Sequence, residues 1–249
     1  MKRLEGKVAI VTGGAQGLGE AIVKEFVSQG AKVVFGDVQE DKGNELADSL
    51  NENAKFIKLD VSDADNWKEF INEAVESFGD IDILVNNAAI VQYVNIEEMD
   101  DDLYRNMVNV NQVGTFLGMK YVVPTMKNVE NGRIINISSV EGLRALPGGA
   151  AYESTKFAVR GMTKSAAIDL AHYGILVNSV HPGAILTPIL QKSIDETYDD
   201  EAEFYAGVPL GRGGKPEEYA KTIAFLASEE SSYATGAEFV IDGGMTTLL

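Results

Sequence analysis

No cysteine occurs among the 249 residues, so the sequence offers neither a disulfide framework nor a thiol nucleophile. Histidine is nearly as scarce. His172 and His181 are the only two; they are too far apart in sequence to point to a metal site, and both read as surface or structural side chains. No run of about 20 apolar residues appears. Lys2 and Arg3 would suit a targeting signal, but Glu5 and Lys7 interrupt the apolar stretch that such a signal needs. The expectation is a soluble, cytoplasmic protein with no membrane partner. Positive charge is also in short supply: 21 Lys and Arg stand against 38 Asp and Glu, a formal net charge of −17. Such a surface should repel nucleic acid, anionic membranes and acidic carrier proteins.

What the chain does contain is enough apolar matter, 45% of its residues, to bury a substantial core. No internal repeat, low-complexity tract or linker is visible. The longest stretch without clear periodicity, about 186–215, holds Pro188, Pro209, Gly211, Gly213 and Gly214 but is flanked by segments needed for one sheet. A single domain is expected over residues 1–249. Short β-branched runs at 7–11, 31–36, 55–59, 81–85, 132–137, 174–180 and 238–241 alternate with helical segments such as 20–30, 64–78, 100–127 and 152–173. Alternation of this kind predicts an α/β, doubly wound Rossmann fold: a seven-stranded parallel sheet with helices on both faces. Ligands then bind where strands end at their carboxyl side, which is where Gly13, Asp37, Asp60, Asn87, Ser139 and Pro182 fall.

The first strand runs into Thr12-Gly-Gly-Ala-Gln-Gly-Leu-Gly19, followed by a helical segment that ends at Gly30. Strand, glycine loop and helix in that order form a phosphate cradle. Gly13, Gly17 and Gly19 permit a tight turn, close backbone approach to a pyrophosphate and close helix packing, and the helix N-terminus favours negative charge. The second strand delivers Asp37, spaced to hydrogen-bond both ribose hydroxyls of an adenosine. Its carboxylate would oppose a 2′-phosphate carrying about −1.5 to −2 charge. Neither Gln16 nor Val38 compensates, so NAD is the expected cofactor unless a cation arrives from elsewhere.

Tyr152 and Lys156 stand one helical turn apart in Tyr-Glu-Ser-Thr-Lys, and Ser139 lies upstream at the end of an apolar run. At i and i+4 the two side chains share a face. A cation at about 4 Å in an effective dielectric of ~20 contributes roughly 4 kcal/mol, enough to bring a phenol of pKa about 10 toward neutral pH. The set suits proton abstraction from an alcohol.

In this order and spacing, Thr-Gly-x-x-x-Gly-x-Gly at 12–19, Asp60, Asn-Asn-Ala at 86–88, Asn111, Ser139, Tyr-x-x-x-Lys at 152–156 and Pro-Gly at 182–183 with Thr187 resemble the short-chain dehydrogenase/reductase family over essentially the whole chain. The resemblance implies that Tyr152 is the acid/base, that Ser139 holds the substrate oxygen, and that Lys156 binds the nicotinamide ribose and lowers the tyrosine pKa. It also implies that Asn111, rather than Asn109, holds a water linking Lys156 to solvent. Ser139, thirteen residues before Tyr152, fits the family's serine better than Ser138. On the cofactor side Asp60 and Val61 would meet the adenine with Val110 on its other face. Asn87 and Ala88 would line the adenosine ribose and pyrophosphate route, and Ile185 and Thr187 would hold the carboxamide. Gln16, Leu18, Pro182 and Gly183 complete the expected contacts. Ala89 departs from the family's glycine, at a cost of about 1 kcal/mol if that position needs a positive φ.

Gly-Met-Lys-Tyr-Val-Val-Pro at 118–124 and Ala-Val-Arg-Gly-Met-Thr-Lys at 158–164 are similar to bacterial hydroxysteroid and secondary-alcohol dehydrogenases. The implied substrate is a small-molecule secondary alcohol or its ketone, cyclic or steroidal. Segments 91–94, 140–146 and a lid at 186–212 would set that choice. Tyr93, Leu143, Leu146, Leu190 and Phe204 either line an apolar pocket there or pack ordinarily. A reductase of carrier-bound ketoacyl chains shares the site chemistry, but it favours a phosphorylated cofactor and a basic docking surface. A non-catalytic nucleotide-binding scaffold would usually have lost the tyrosine or lysine. The family's habit of pairing its two long helices implies a homotetramer.

Overall fold

The computed structural model describes residues 2–187, 190–191, 194 and 201–247. Strand β1 (Val8–Thr12) is buried along its whole length. Its side chains alternate: Ala9 and Val11 enter one apolar cluster, Val8 and Ile10 the other. A strand covered on both faces must read this way. The same holds for its neighbours β2 (Lys32–Asp37), β4 (Ile83–Asn86) and β5 (Arg133–Ile137). With β3 (Ala54–Lys58), β6 (Leu176–Pro182) and β7 (Glu238–Ile241) they form one parallel sheet in the order β3-β2-β1-β4-β5-β6-β7. This is the expected doubly wound, seven-stranded architecture. Strand order reverses between β1 and β4, so their carboxyl ends diverge and open a crevice.

Helices α1 (Gly17–Ser28) and α7 (Pro216–Ala227) cover one face through Ile22, Phe26, Tyr219 and Ile223; α2 (Glu40–Leu50) joins through Leu46. The other face is covered by α3 (Ala64–Phe78), α5 (Gly114–Met126) and α6 (Ala150–Leu170), with Trp67, Phe70, Leu117 and Val122 at its centre. Each such side chain contributes roughly 1.5–3 kcal/mol on burial. Trp67 also donates its indole N–H to the Val61 carbonyl at 2.9 Å, so the core holds a residue of the crevice in place. Helix α3 has the predicted bounds because Asp63 caps its first turn and Gly79, at φ +93°, ends it.

The long helix expected at 100–127 runs from Asp101 to Met126, with a change of winding in its middle. α4 (Asp101–Met107) and α5 are joined by a π-helical turn, Val108–Val113, which carries the buried Asn111. Wide turns of this kind often sit at functional sites. The helix expected at 152–173 starts at Ala150, and its last turn tightens to 3-10 at Ala171–Tyr173 before Gly174 reverses the chain at φ +74°. In the stretch proposed as a lid, Ile194, Tyr205 and Val208 form a small cluster with Leu190 and Phe204; Pro188 and residues 195–200 lie outside the described residues. Among the described residues no helix is long and apolar enough to cross a membrane, and no group of acidic or histidine side chains is arranged around a metal position.

Candidate active site

The glycine loop leaves β1 with Gly13 at φ +64°. A Cβ there would lie 2.8 Å from Ala88 Cα, and one at Gly19 would lie 1.9 Å from the Gly13 carbonyl oxygen. Only bare backbone fits, at the N-terminus of a twelve-residue helix whose N-cap, Gln16, makes no side-chain cap. These are the requirements of a pyrophosphate cradle. Thr12 and Asn87 tie it across the crevice. Thr12 Oγ1 accepts the Asn87 and Ala88 N–H groups at 3.0 Å each, and Asn87 Nδ2 donates to the Thr12 and Gly13 carbonyls at 3.0 and 3.1 Å. Ala89 carries no strain, since the only non-glycine residues with positive φ among those described are Asn51 and Asn131.

Gly13, Gln16, Gly17, Leu18, Gly19, Asp37, Asp60, Val61, Asn87, Ala88, Val110 and Thr187 all border one cavity of about 1170 Å³. Of the other expected cofactor contacts, Tyr152, Lys156, Pro182, Gly183 and Ile185 lie off its wall. Gly183 packs instead against β7, where a Cβ would meet Asp242 Cα at 2.9 Å, and Ile185 bridges to Gly214. Asp37 is buried, its two carboxylate oxygens accepting the Ala15 and Gln39 N–H groups at 3.1 and 3.0 Å. Neither Gln16 nor Val38 beside it carries a positive charge. Two lysines border the same cavity, Lys24 and Lys42, and Lys42 of α2 donates to Gln16 Oε1 at 2.7 Å and Gln39 Oε1 at 2.8 Å. Its signal was positional, because a helix starting at Glu40 must set its first turn beside the end of β2.

Ser139 follows β5 and Tyr152 lies in the first turn of α6, so helix packing on the sheet brings them together. Ser138 is accounted for separately: its hydroxyl donates to the Lys156 carbonyl at 2.9 Å. Lys156 is buried; its Nζ donates to the Ile137 carbonyl at 2.9 Å and lies 5.5 Å from the centre of the Tyr152 ring. Burial lowers the ammonium pKa to about 8, which leaves it mostly charged at neutral pH. The tyrosine differs from expectation. Burial pushes its pKa above the ordinary value, Glu141 adds to that, and hydrogen bonding with Ser139 acts the other way. The expected net lowering is absent because desolvation, with the Glu141 carboxylate adding to it, outweighs the effects that favour the phenolate.

Asn111 is buried and Asn109 exposed. Asn111 Oδ1 accepts the Ile90 N–H at 2.8 Å, and its Nδ2 donates to the Ile90 carbonyl at 2.8 Å and to Thr155 Oγ1 at 3.2 Å. It clamps the loop after β4 to the helix of Tyr152 and Lys156.

Glu141 was not singled out from the sequence. It is buried, accepts the Tyr93 hydroxyl at 2.6 Å through Oε1, and leaves Oε2 without a partner among the described residues. Desolvation raises its pKa. Tyr93 is therefore a hydrogen-bonding residue beside Tyr152, with ring centres 6.4 Å apart, rather than a purely apolar wall. Of the other pocket candidates, Leu190 and Phe204 pack in the small cluster, and Leu146 is 41% exposed. The sign of one effect follows. A carboxylate near the phenol opposes its ionisation, so Glu141→Gln, which keeps an acceptor for Tyr93, should let Tyr152 ionise at lower pH. In a pH profile of alcohol oxidation the alkaline-rising limb should move to lower pH; movement to higher pH would refute the placement of that charge.

A phosphate cradle at the switch point of a doubly wound sheet, with a buried serine after β5 and a half-buried tyrosine and buried lysine on α6, defines a Rossmann-type dinucleotide protein equipped for proton transfer. The family model described as enoyl-(acyl carrier protein) reductase matches residues 13–246. A 3-alpha-(or 20-beta)-hydroxysteroid dehydrogenase of Mycobacterium tuberculosis is 44% identical, covering 97% of this chain and 90% of its own. A 3-oxoacyl-[acyl-carrier-protein] reductase of Thermotoga maritima is 42% identical over 98% and 99%. An NADP-dependent (R)-specific alcohol dehydrogenase of Lentilactobacillus kefiri is 41% identical over 98% of both chains. This chain belongs to the short-chain dehydrogenase/reductase family of oxidoreductases.

Proposed function

We propose that the protein is an NAD(H)-dependent dehydrogenase/reductase that interconverts a secondary alcohol and its ketone, with a cyclic or steroidal substrate. The observation that carries this reading is the grouping of Ser139, Tyr152 and Lys156, in the same domain as a cleft bordered by the glycine loop and the Asp37 carboxylate. A nicotinamide dinucleotide held by the glycine loop, Asp37, Asp60, Asn87 and Thr187 supplies the hydride acceptor or donor. Tyr152 takes the hydroxyl proton in oxidation and returns it to the developing alkoxide in reduction. Ser139 hydrogen-bonds the same oxygen, and Lys156 keeps a positive charge behind the phenol. Asn111 fixes the loop and helix that frame them.

The hydroxysteroid relative supports a cyclic substrate. The carrier-protein reductase among the relatives keeps a ketoacyl alternative in view, but the −17 formal charge disfavours an acidic carrier. Exposed Phe116, Phe157 and Ile168 on α5 and α6 support assembly through those helices into a homotetramer. The test is a paired NADH and NADPH assay against aliphatic, cyclic and steroid ketones, followed by nicotinamide absorbance. Turnover of cyclic ketones with NADH is expected. Dinucleotide binding without turnover of any ketone would point instead to a non-catalytic scaffold.

A further inference from the structure

His181 lies in β6, directly across from the point where the chain leaves β5. Ile137 pairs with Val180, the Ser138 N–H donates to the Val180 carbonyl at 2.8 Å, and His181 itself pairs with Val240 of β7. The ring is completely buried. Its Nδ1 is 2.9 Å from the Ser139 carbonyl oxygen and its Nε2 is 2.9 Å from Ser179 Oγ. A carbonyl can only accept, so Nδ1 carries the proton, and Nε2 of the neutral ring accepts from the Ser179 hydroxyl. Burial, which lowers the imidazole pKa, favours that neutral form.

The Ser139 carbonyl thus receives two donors, His181 Nδ1–H and the Gly142 N–H at 2.9 Å. On the other side of the same residue, Oγ accepts the Glu141 N–H at 3.1 Å. Ser139 is extended, at φ −166° and ψ 164°, at the junction of a strand and a 3-10 turn, where no regular ladder on its own fixes the peptide plane. A neighbouring strand does so through an imidazole.

We infer that His181 is a positioning residue for the reaction, acting through the Ser139 peptide to hold the serine hydroxyl toward Tyr152. This rests on the proposed role of Ser139, and the test separates the two. Neither histidine ligation nor proton transfer to substrate is involved; the ring is a fixed strut between β6 and the catalytic turn. Displacing a reacting group by a fraction of an ångström costs rate rather than dinucleotide affinity.

The experiment is a double-mutant cycle on kcat, with NADH affinity and thermal unfolding measured alongside. His181→Ala is expected to lower kcat about tenfold with unchanged NADH affinity. In a Ser139→Ala background it should lower kcat by less than about twofold, because the two residues act as one unit. His181→Asn sets its amide N–H near the position of Nδ1 and should recover most of the loss, whereas His181→Gln reaches toward Ser179 instead and should not. Equal losses from His181→Ala in both backgrounds, or no loss at all, would overturn the inference. If Ser139→Ala alone leaves kcat unchanged, it is the reading of Ser139 that fails. Should His181→Ala not fold, the Asn and Gln variants decide: Asn more active than Gln supports the strut, and equal activity rejects it.

Discussion

Tyr152→Phe is expected to lower kcat about 10³-fold, the range seen when a positioned acid/base is removed, with little change in NADH affinity or thermal stability. The substitution removes one hydroxyl and keeps the ring that packs beside Tyr93. An interaction made only in the transition state lowers kcat and kcat/KM together, which separates this outcome from loss of substrate binding. Lys156→Ala should also cut turnover, but it removes a buried cation bonded to the Ile137 carbonyl and would disturb packing as well. The tyrosine is the cleaner probe. Stopped-flow kinetics with the best ketone of the panel checks it, and turnover near wild type would remove Tyr152 from the chemistry.

The second large effect concerns the adenosine end of the cleft. A 2′-phosphate brought within about 4 Å of the Asp37 carboxylate is opposed by roughly 4 kcal/mol per unit of charge at an effective dielectric of ~20. Lys42, exposed and already hydrogen-bonded to Gln16 and Gln39, offsets only part of that. Wild type should therefore prefer NADH over NADPH by about 10²-fold or more in kcat/KM. Asp37→Ser removes the repulsion, retains an acceptor for the Ala15 N–H, and leaves Lys42 free to meet a phosphate. The preference should shrink to about tenfold or less, and adding Lys42→Ala should cost NADPH activity specifically. Equal use of the two cofactors by wild type would mean that Lys42 outweighs Asp37. The NADP-dependent relative from Lentilactobacillus kefiri makes this a question for measurement rather than for family membership.

The sheet was legible because its signal is local. Apolar runs of strand length bounded by glycine or asparagine gave all seven strands to within about two residues, and the last, Glu238–Ile241, coincides with the expected run. The glycine cradle was legible for the same reason, since Gly13 and Gly19 exclude any side chain. Interactions between distant segments were not. Lys42 meets Gln16 across 26 positions, Tyr93 meets Glu141 across 48 and His181 meets Ser139 across 42; none follows a helical or strand period. The π-helical turn at Val108–Val113 was hidden because Val-Asn-Val-Asn-Gln-Val fits an ordinary helix, and the buried bonds of Asn111 to Ile90 become visible only in three dimensions. The direction of the Tyr152 pKa was hidden for a related reason. Spacing gives the partner of a charge, but desolvation depends on everything packed around it.

A structure of the protein with NAD and the alcohol of its best ketone tests the central claim most directly. The substrate oxygen should lie within about 3.2 Å of both the Tyr152 hydroxyl and Ser139 Oγ, with the adenosine ribose on Asp37 and the pyrophosphate on the glycine loop. A dinucleotide seated elsewhere, or a substrate oxygen facing any group other than Tyr152, would contradict it.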